Sequence, residues 1–332
     1  MTVRIGTRAS KLALTQTQQT ADQLAAVGGF PVELVHIRTD GDVLTGSLSQ
    51  MGGTGVFVAA LRDALLRNEC DVAVHSLKDL PTGAAVGLSL AATPRRVDVR
   101  DVLCARDGLK LADLPAGATV GTGSPRRAAQ LRAARPDLDI RDIRGNVDTR
   151  LGRVPGLPGN TTEAVVPGKS CDLDAVVLAA AGLERISRLD AVSEYLETDV
   201  MLPAAGQGSL AIECRTADAP RKPGSTEVSQ AVLAQALAAL DDTDTRLAVT
   251  AERALLARLE AGCAAPVGAY AYRKGSMLHL EAVVCAVDGT ASIRDKRATD
   301  GLTAVRATLL GIELAEVLLA GGAAGIADLQ AS

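Results

Sequence analysis

Short apolar runs alternate with longer segments of helical spacing through the first half of the chain. Val3–Gly6 predicts a strand and Ser10 to about Val27 a helix. Val32–Arg38 predicts a second strand. Val56, Leu61 and Leu65 recur at helical spacing within Val56–Glu69, and Asp71–His75 predicts a third strand. This βαβ rhythm implies an α/β domain with a largely parallel sheet. A second unit repeats it. The pattern gives a strand at Ala118–Gly121, a helix at Pro125–Ala134, a strand at Leu138–Ile143, a short helix at Val147–Arg153 and a strand at Asp174–Ala179. Two echoes point to duplicated architecture: Ile5-Gly6-Thr7 with Val120-Gly121-Thr122, and Asp71-Val72-Ala73-Val74 with Asp174-Ala175-Val176-Val177.

Ala217–Thr226 reads as a linker into a third region. Helices are predicted there at about Glu227–Leu240, Asp244–Ala261 and Leu302–Ala320, with strands at Val267–Tyr272, Met277–Ala286 and Ala291–Arg297. That mixture predicts a small α+β domain. Asp42–Gly55, rich in Gly, reads as a lid over a site or equally as a disordered loop with no role, and Pro155–Ser170, rich in Pro, Gly and Thr, reads as a surface insertion or mobile loop.

Composition narrows the function. The 332 residues suffice for two or three domains. With two Phe, three Tyr, no Trp and a net charge of −4, a nucleic-acid partner is not expected. The six cysteines are scattered without a CxxC pair and only three histidines occur, so neither a metal cluster nor a disulfide framework is expected. The chain has no run of eighteen apolar residues, and MTVRIGTRAS is not a basic-then-apolar leader. A cytoplasmic protein with no membrane partner is the expectation.

Against that acidic background, eight arginines and no lysine fall between Arg126 and Arg153, among only four acids: Asp137, Asp139, Asp142 and Asp148. Arginine's planar fork suits carboxylates and phosphates. A genome that favours arginine would give the same count. Two strand-to-helix junctions sharpen the picture. Gly6-Thr7-Arg8-Ala9-Ser10 and Gly121-Thr122-Gly123-Ser124-Pro125-Arg126-Arg127 each place a capping serine and arginine at a helix start, where free N–H groups attract anions. Either alone is equally an ordinary capped helix. His75-Ser76-Leu77-Lys78-Asp79-Leu80-Pro81 follows a buried strand, the place where open α/β sheets bind ligands. Asp79 suits acid–base work or a cationic intermediate, and Lys78 suits a carboxylate. Cys263, on a loop after a helix, is either an accessible nucleophile or one more inert cysteine. The residues alone leave three classes open: a group-transfer enzyme, a reversible anion-binding module and a phosphate-ester enzyme, the last without a P-loop.

Seven ordered blocks carry a resemblance over almost the whole chain: IGTRASKLAL (Ile5–Leu14), GVFVAALRDALL (Gly55–Leu66), DVAVHSLKDLPT (Asp71–Thr82), GTGSPRRAAQL (Gly121–Leu131), DIRGNVDTRL (Asp142–Leu151), LPAAGQGSLAIECR (Leu202–Arg215) and TAERALLARLEAGCAAPVGA (Thr250–Ala269). Together they resemble the porphobilinogen deaminase (hydroxymethylbilane synthase) family. The resemblance implies an α/β fold: two α/β domains like type II periplasmic binding proteins around a cleft, plus a smaller C-terminal α+β domain. The implied boundaries are 1–99 plus 200–216, 100–199, and 217–332. It implies a transferase that joins four porphobilinogen molecules head to tail, losing ammonia, on a dipyrromethane cofactor. Cys263 matches the position of the cofactor thioether, Asp79 the catalytic aspartate and Lys78 the neighbouring cofactor-binding lysine. Arg8, Ser10, Ser124, Arg126, Arg127, Arg144, Arg150 and Arg185 match cofactor- and substrate-binding positions, and a monomer is expected. Four features depart from the family. Gly123 stands where a serine is frequent, Gln50 and Thr54 stand near lysine positions of the lid, Glu184 precedes Arg185, and the 155–170 stretch is long.

Overall fold

The computed structural model describes residues 2–37, 55–157, 171–220, 228–262 and 265–329. The chain opens with β1 (Val3–Thr7), α1 (Lys11–Gly28), β2 (Val32–His36), α2 (Gly55–Leu66), β3 (Val72–Ser76) and β4 (Leu88–Ala92). Helix α1 starts where the Ser10 hydroxyl accepts a hydrogen bond from the Ala13 N–H, and it stops at Gly29, whose φ of 63° is left-handed. Helix α2 ends three residues before the predicted Glu69, because Asn68 turns left-handed at φ 65°. There follow β5 (Asp101–Ala105), β6 (Thr119–Gly121), α3 (Pro125–Ala134), β7 (Asp139–Arg141), α4 (Val147–Leu151), β8 (Ala175–Ala179), α5 (Ala180–Arg185), β9 (Glu194–Leu196) and β10 (Leu210–Arg215).

These strands form two sheets of one topology. The first has the order β2-β1-β3-β10-β4 and the second β7-β6-β8-β5-β9. In each, the three strands of the βαβαβ unit are parallel and the fourth is antiparallel. β1 and β6 occupy the same place in the two sheets, as do β3 and β8, so the sequence echoes mark equivalent strands. This is the type II periplasmic-binding-protein arrangement of two α/β lobes. The chain crosses between lobes twice, at 93–100 and at 197–209.

The C-terminal part holds α6 (Val228–Leu240), α7 (Thr243–Arg258), β11 (Val267–Lys274), β12 (Met277–Cys285), β13 (Ser292–Asp300), α8 (Ala304–Ala320) and α9 (Ala323–Ile326). The antiparallel sheet β11-β12-β13 is covered by α7 and α8. Gly311 of α8 lets the two helices touch, since a Cβ there would lie 2.3 Å from the Ala251 carbonyl oxygen. Helix α6, expected with the third region, instead packs on the first sheet. Its Leu233, Ala236 and Leu237 share a core with Val3, Ile5 and Leu24.

The crossovers are gripped from both sides. Glu252 of α7 is fully buried and accepts from Arg96 Nη1 at 2.6 Å and Nη2 at 3.2 Å, from the Gly206 N–H at 2.6 Å and from the Ala271 N–H at 2.7 Å. One carboxylate thus joins both crossovers to β11. Arg294 of β13 adds hydrogen bonds to the carbonyls of Thr198 and Asp199. Asp101, fully buried at the end of the first crossover, accepts from Arg127 Nε at 3.0 Å and Nη2 at 2.7 Å, and pairs with Arg126 Nη2 at 2.8 Å. Burial raises the Asp101 carboxyl, but the charges of Arg126 and Arg127 overcome it and hold it down to about 2.

Two outcomes follow from these buried carboxylates. Glu252→Ala leaves Arg96 buried without its partner and should lower stability by about 3–5 kcal/mol in urea unfolding; a loss below about 1 kcal/mol would contradict this. For Asp101, the folded value lies below the ordinary 3.8, so its ionised form stabilises the protein above that pH and stops doing so as pH falls through 2. The stability gap between wild type and Asp101→Asn should therefore narrow by about 2 kcal/mol between pH 4 and pH 2. A gap constant with pH would show that the Asp101 charge is not what the arginines hold.

Candidate functional site

The expected site residues lie beyond the carboxyl ends of equivalent strands in the two sheets. β1 leads to Arg8 and Ser10, β3 to Lys78 and Asp79, β6 to Ser124, Arg126 and Arg127, and β8 into α5, which ends on Arg185. Arg144 lies between β7 and α4, and Arg150 lies on α4. Gly6 is required at its junction, since a Cβ there would lie 2.9 Å from Cys70 Sγ. At the second junction the Ser124 hydroxyl accepts from the Arg127 N–H at 3.5 Å and Pro125 opens the helix.

The arginine field divides in two. Arg132, Arg135, Arg141 and Arg153 serve the scaffold: Arg132 ties α3 to the C-terminal domain by donating to the Val287 carbonyl, and the other three pair with Asp137, Asp139 and Asp172 respectively. Arg126 and Arg127, by contrast, are only 4% and 5% exposed. Their forks are turned onto Asp101, with further bonds from Arg126 to the Leu202 carbonyl and from Arg127 to the Val177 carbonyl. A buried guanidinium needs a carboxylate partner. What this pair presents to the cleft is therefore its surplus charge more than a free fork. Arg144 is exposed and lies 3.6 Å from Asp142. Arg150 donates to the Gly145 carbonyl. Burial lowers the Arg150 guanidinium, helped by Arg127 and Arg144 and opposed by Asp142 and Asp79. Arg150 of the second lobe thus lies within electrostatic reach of Asp79 of the first.

Lys78 and Asp79 sit on a single 3₁₀ turn, Leu77–Asp79, directly after β3. The Leu77 N–H donates to the Ser209 carbonyl, while Arg253 of α7 donates to the carbonyls of Leu80 and Pro81. The turn is thereby held by the second crossover and by the C-terminal domain. Lys78 is half-buried by surface exposure, yet its ammonium is densely surrounded. Desolvation pushes it down to about 8, with Arg127 and Arg126 adding to the effect and Asp79 and Asp101 opposing it. Asp79 has no hydrogen-bond partner or ion pair among the described residues. Beneath the turn, Glu213 accepts from Arg62 at 2.8 and 3.0 Å and lies 3.2 Å from His75 Nε2. Burial raises the Glu213 carboxyl, and His75 and Arg62 bring it down to about 2.

The lobes meet at Arg185. It donates to Gln16 Oε1 of α1 at 3.2 Å and to the Gly208 carbonyl at 3.2 Å, and Gln16 Oε1 also accepts from the Ser76 hydroxyl at 2.9 Å. Burial lowers the Arg185 guanidinium to about 10 against the pull of Glu184. Gly123 also has a structural reason. A Cβ there would stand 2.5 Å from the Ile143 carbonyl oxygen, so glycine lets the loop that carries Arg144 close onto the β6–α3 junction.

Lys78, Asp79, Arg126, Arg127 and Arg150 therefore converge, and the four cations outnumber the carboxylates Asp79 and Asp101. Desolvation first, and then repulsion from neighbouring arginines, depresses Lys78 and Arg150, and that repulsion is what added negative charge would relieve. That surplus fits a dipyrromethane, whose pyrroles carry acetate and propionate groups. Cys263, Gln50, Thr54 and residues 158–170 lie outside the described residues. On either side of 263–264, the Gly262 N–H donates to the Leu329 carbonyl at 2.9 Å, and Ala265 is buried in the C-terminal core. Burial pushes the thiols of Cys70 and Cys285 up to about 11 and those of Cys104 and Cys214 up to about 12, which disfavours their reactive thiolates. Sequence reasoning missed Asp101, Glu213, Gln207 and Arg253. Only Gln207 had a local signal, its place between two glycines.

Comparison with known proteins agrees with this geometry. A family model described as porphobilinogen deaminase, dipyromethane cofactor binding domain, matches residues 3–222, and one described as porphobilinogen deaminase, C-terminal domain, matches residues 246–320. A porphobilinogen deaminase of Cutibacterium acnes is 54% identical over 341 residues, covering 99% of this chain and 98% of the relative. One from Leifsonia xyli is 52% identical over 334 residues, covering 99% and 95%. Among solved structures, a periplasmic substrate-binding protein of an ABC transporter from Coxiella burnetii aligns with a TM-score of 0.42 at 12% identity, over 71% of this chain and 92% of that one. With both family domains matched in order and half the residues shared along nearly the full length, the chain belongs to the porphobilinogen deaminase family.

Proposed function

We propose that this chain condenses four porphobilinogen molecules head to tail on a dipyrromethane held as a thioether by Cys263, and releases hydroxymethylbilane by hydrolysis. The observation that carries the reading is a carboxylate, Asp79, with no hydrogen-bond or ion-pair partner among the described residues, set against a surplus of buried and half-buried cations at the facing strand ends of two lobes. In each condensation the aminomethyl C–N bond of porphobilinogen breaks and ammonia leaves. A C–C bond forms to the free α-carbon of the terminal pyrrole, which then loses its proton. Dipyrromethane, when bound, supplies the first such α-carbon.

Asp79 supplies fixed negative charge where positive charge develops on ring nitrogen. Lys78 and Arg150 take ring carboxylates, with Arg126 and Arg127 adding field from behind. Arg8, Ser10, Ser124, Arg144 and Arg185 complete the cofactor and substrate contacts. Three domains, 1–99 plus 200–216, 100–199 and 217–332, divide these roles, although α6 lies on the first. A cytoplasmic monomer with no nucleic-acid or membrane partner suits the reading; among the described residues no helix is long and apolar enough to cross a membrane.

Asp79→Ala should remain folded by circular dichroism and release ammonia from porphobilinogen about 100-fold more slowly or worse. Wild-type turnover in that variant would remove Asp79 from the chemistry. Cys263→Ala should yield no pyrrole-bearing peptide on mass mapping, whereas an adduct that persists elsewhere would relocate the anchor.

A further inference from the structure

Gln207 stands between two left-handed glycines, Gly206 at φ 75° and Gly208 at φ 85°. A Cβ at Gly208 would lie 2.7 Å from the Val97 carbonyl oxygen, and one at Gly206 would lie 3.0 Å from Leu77. The return crossover is thus pressed against both the outgoing one and the turn that carries Lys78 and Asp79. This backbone sends the Gln207 side chain, 1% exposed, into the junction. Its Nε2 donates to the Val99 carbonyl at 2.8 Å and to Asp101 Oδ1 at 2.8 Å, and its Oε1 accepts from Lys78 Nζ at 3.4 Å. The amide can face only one way. Reversed, it would set an NH₂ against an ammonium and a carbonyl against two acceptors.

Asp101 Oδ1 then has three donors: Arg127 Nε, Arg127 Nη2 and Gln207 Nε2. Gln207 thus bridges Lys78 Nζ and Asp101 Oδ1, with its amide interposed between the ammonium and that oxygen. We propose that Gln207 is a positioning residue for Lys78, a neutral spacer that tethers the ammonium while keeping it off the Asp101 carboxylate, so that its charge stays available to a ligand carboxylate. Direct closure of Lys78 onto Asp101 would spend that charge on an internal pair. The groups facing Lys78 are Asp79 on its own turn, Asp101 at the start of β5, and Arg126 and Arg127 on α3. The ligand half of the inference rests on the proposed function, but the tethering does not.

The chain has seven lysines, so reductive methylation with ¹³C-formaldehyde gives a readable set of NMR signals, and Lys78→Arg identifies the one from Lys78. In full-length Cys263→Ala protein, with no porphobilinogen added and so no pyrrole adduct beside Lys78, the Lys78 signal should titrate near 8. Gln207→Met keeps the length of the side chain and removes the amide. The Lys78 midpoint should then rise by about two pH units, toward an ordinary lysine, as the ammonium moves onto Asp101 or out to water. Gln207→Asn withdraws the amide by one methylene and should give a rise in the same direction, which preserves the test if the Met variant folds poorly. An unchanged or lower midpoint in a folded variant overturns the proposal. The rise, together with a Cys263-bearing chain that never acquires a pyrrole adduct, would uphold the tether and sink the enzyme reading; an adduct on that chain without the rise would do the reverse.

Discussion

Two guanidinium groups and one carboxylate share a space closed to water where the first crossover enters the second sheet. Arg126 and Arg127 can be buried there only because Asp101 is there too. The pairing is unequal, two cations to one anion, and Lys78 approaches from the other lobe through Gln207. Charge surplus in a low-dielectric setting is costly unless something negative arrives. The fold holds that surplus at the mouth of a cleft. Recognition of a polycarboxylate follows from this imbalance more directly than from the number of arginines in the chain.

The surplus can be held because neither lobe builds it alone. The antiparallel strands β5 and β10 bring the crossover ends beneath the ligand-facing edges of the sheets. The C-terminal domain then fixes the same segments, through Glu252 on Arg96 and Gly206 and through Arg294 on residues 198 and 199. Arg253 carries the grip onward to the carbonyls after Asp79. The domain whose sequence includes Cys263 thereby helps set where Asp79 stands.

Much of this was readable from local chemistry. Ser10, Ser124 and Pro125 announced the helix starts, and the IGT and VGT echoes announced two sheets of one design. Other parts carry no local signal. β5 and β10 are only five and six residues long, mix apolar with charged residues without a clear alternation, and β10 pairs with β3 across more than 130 residues. An amphipathic helix such as α6 declares that it has a buried face but not which core receives it. Asp101 is one acid in a polar stretch, and only the fold shows that two arginines from α3 converge on it. The forks of Arg126 and Arg127 were expected to reach a ligand. Burial without water turned them inward to Asp101, and their charge, more than their geometry, is what the cleft receives.

The proposed covalent assembly site joins a cationic surplus, an aspartate with no partner among the described residues, and Cys263. The most direct test is the intact mass of the purified, denatured chain before and after incubation with porphobilinogen. The account predicts an increment of two linked pyrroles, present at the outset or acquired on incubation, followed by further single-pyrrole steps. A mass equal to the bare polypeptide both before and after would contradict it, and would leave a cleft that binds carboxylates without joining them.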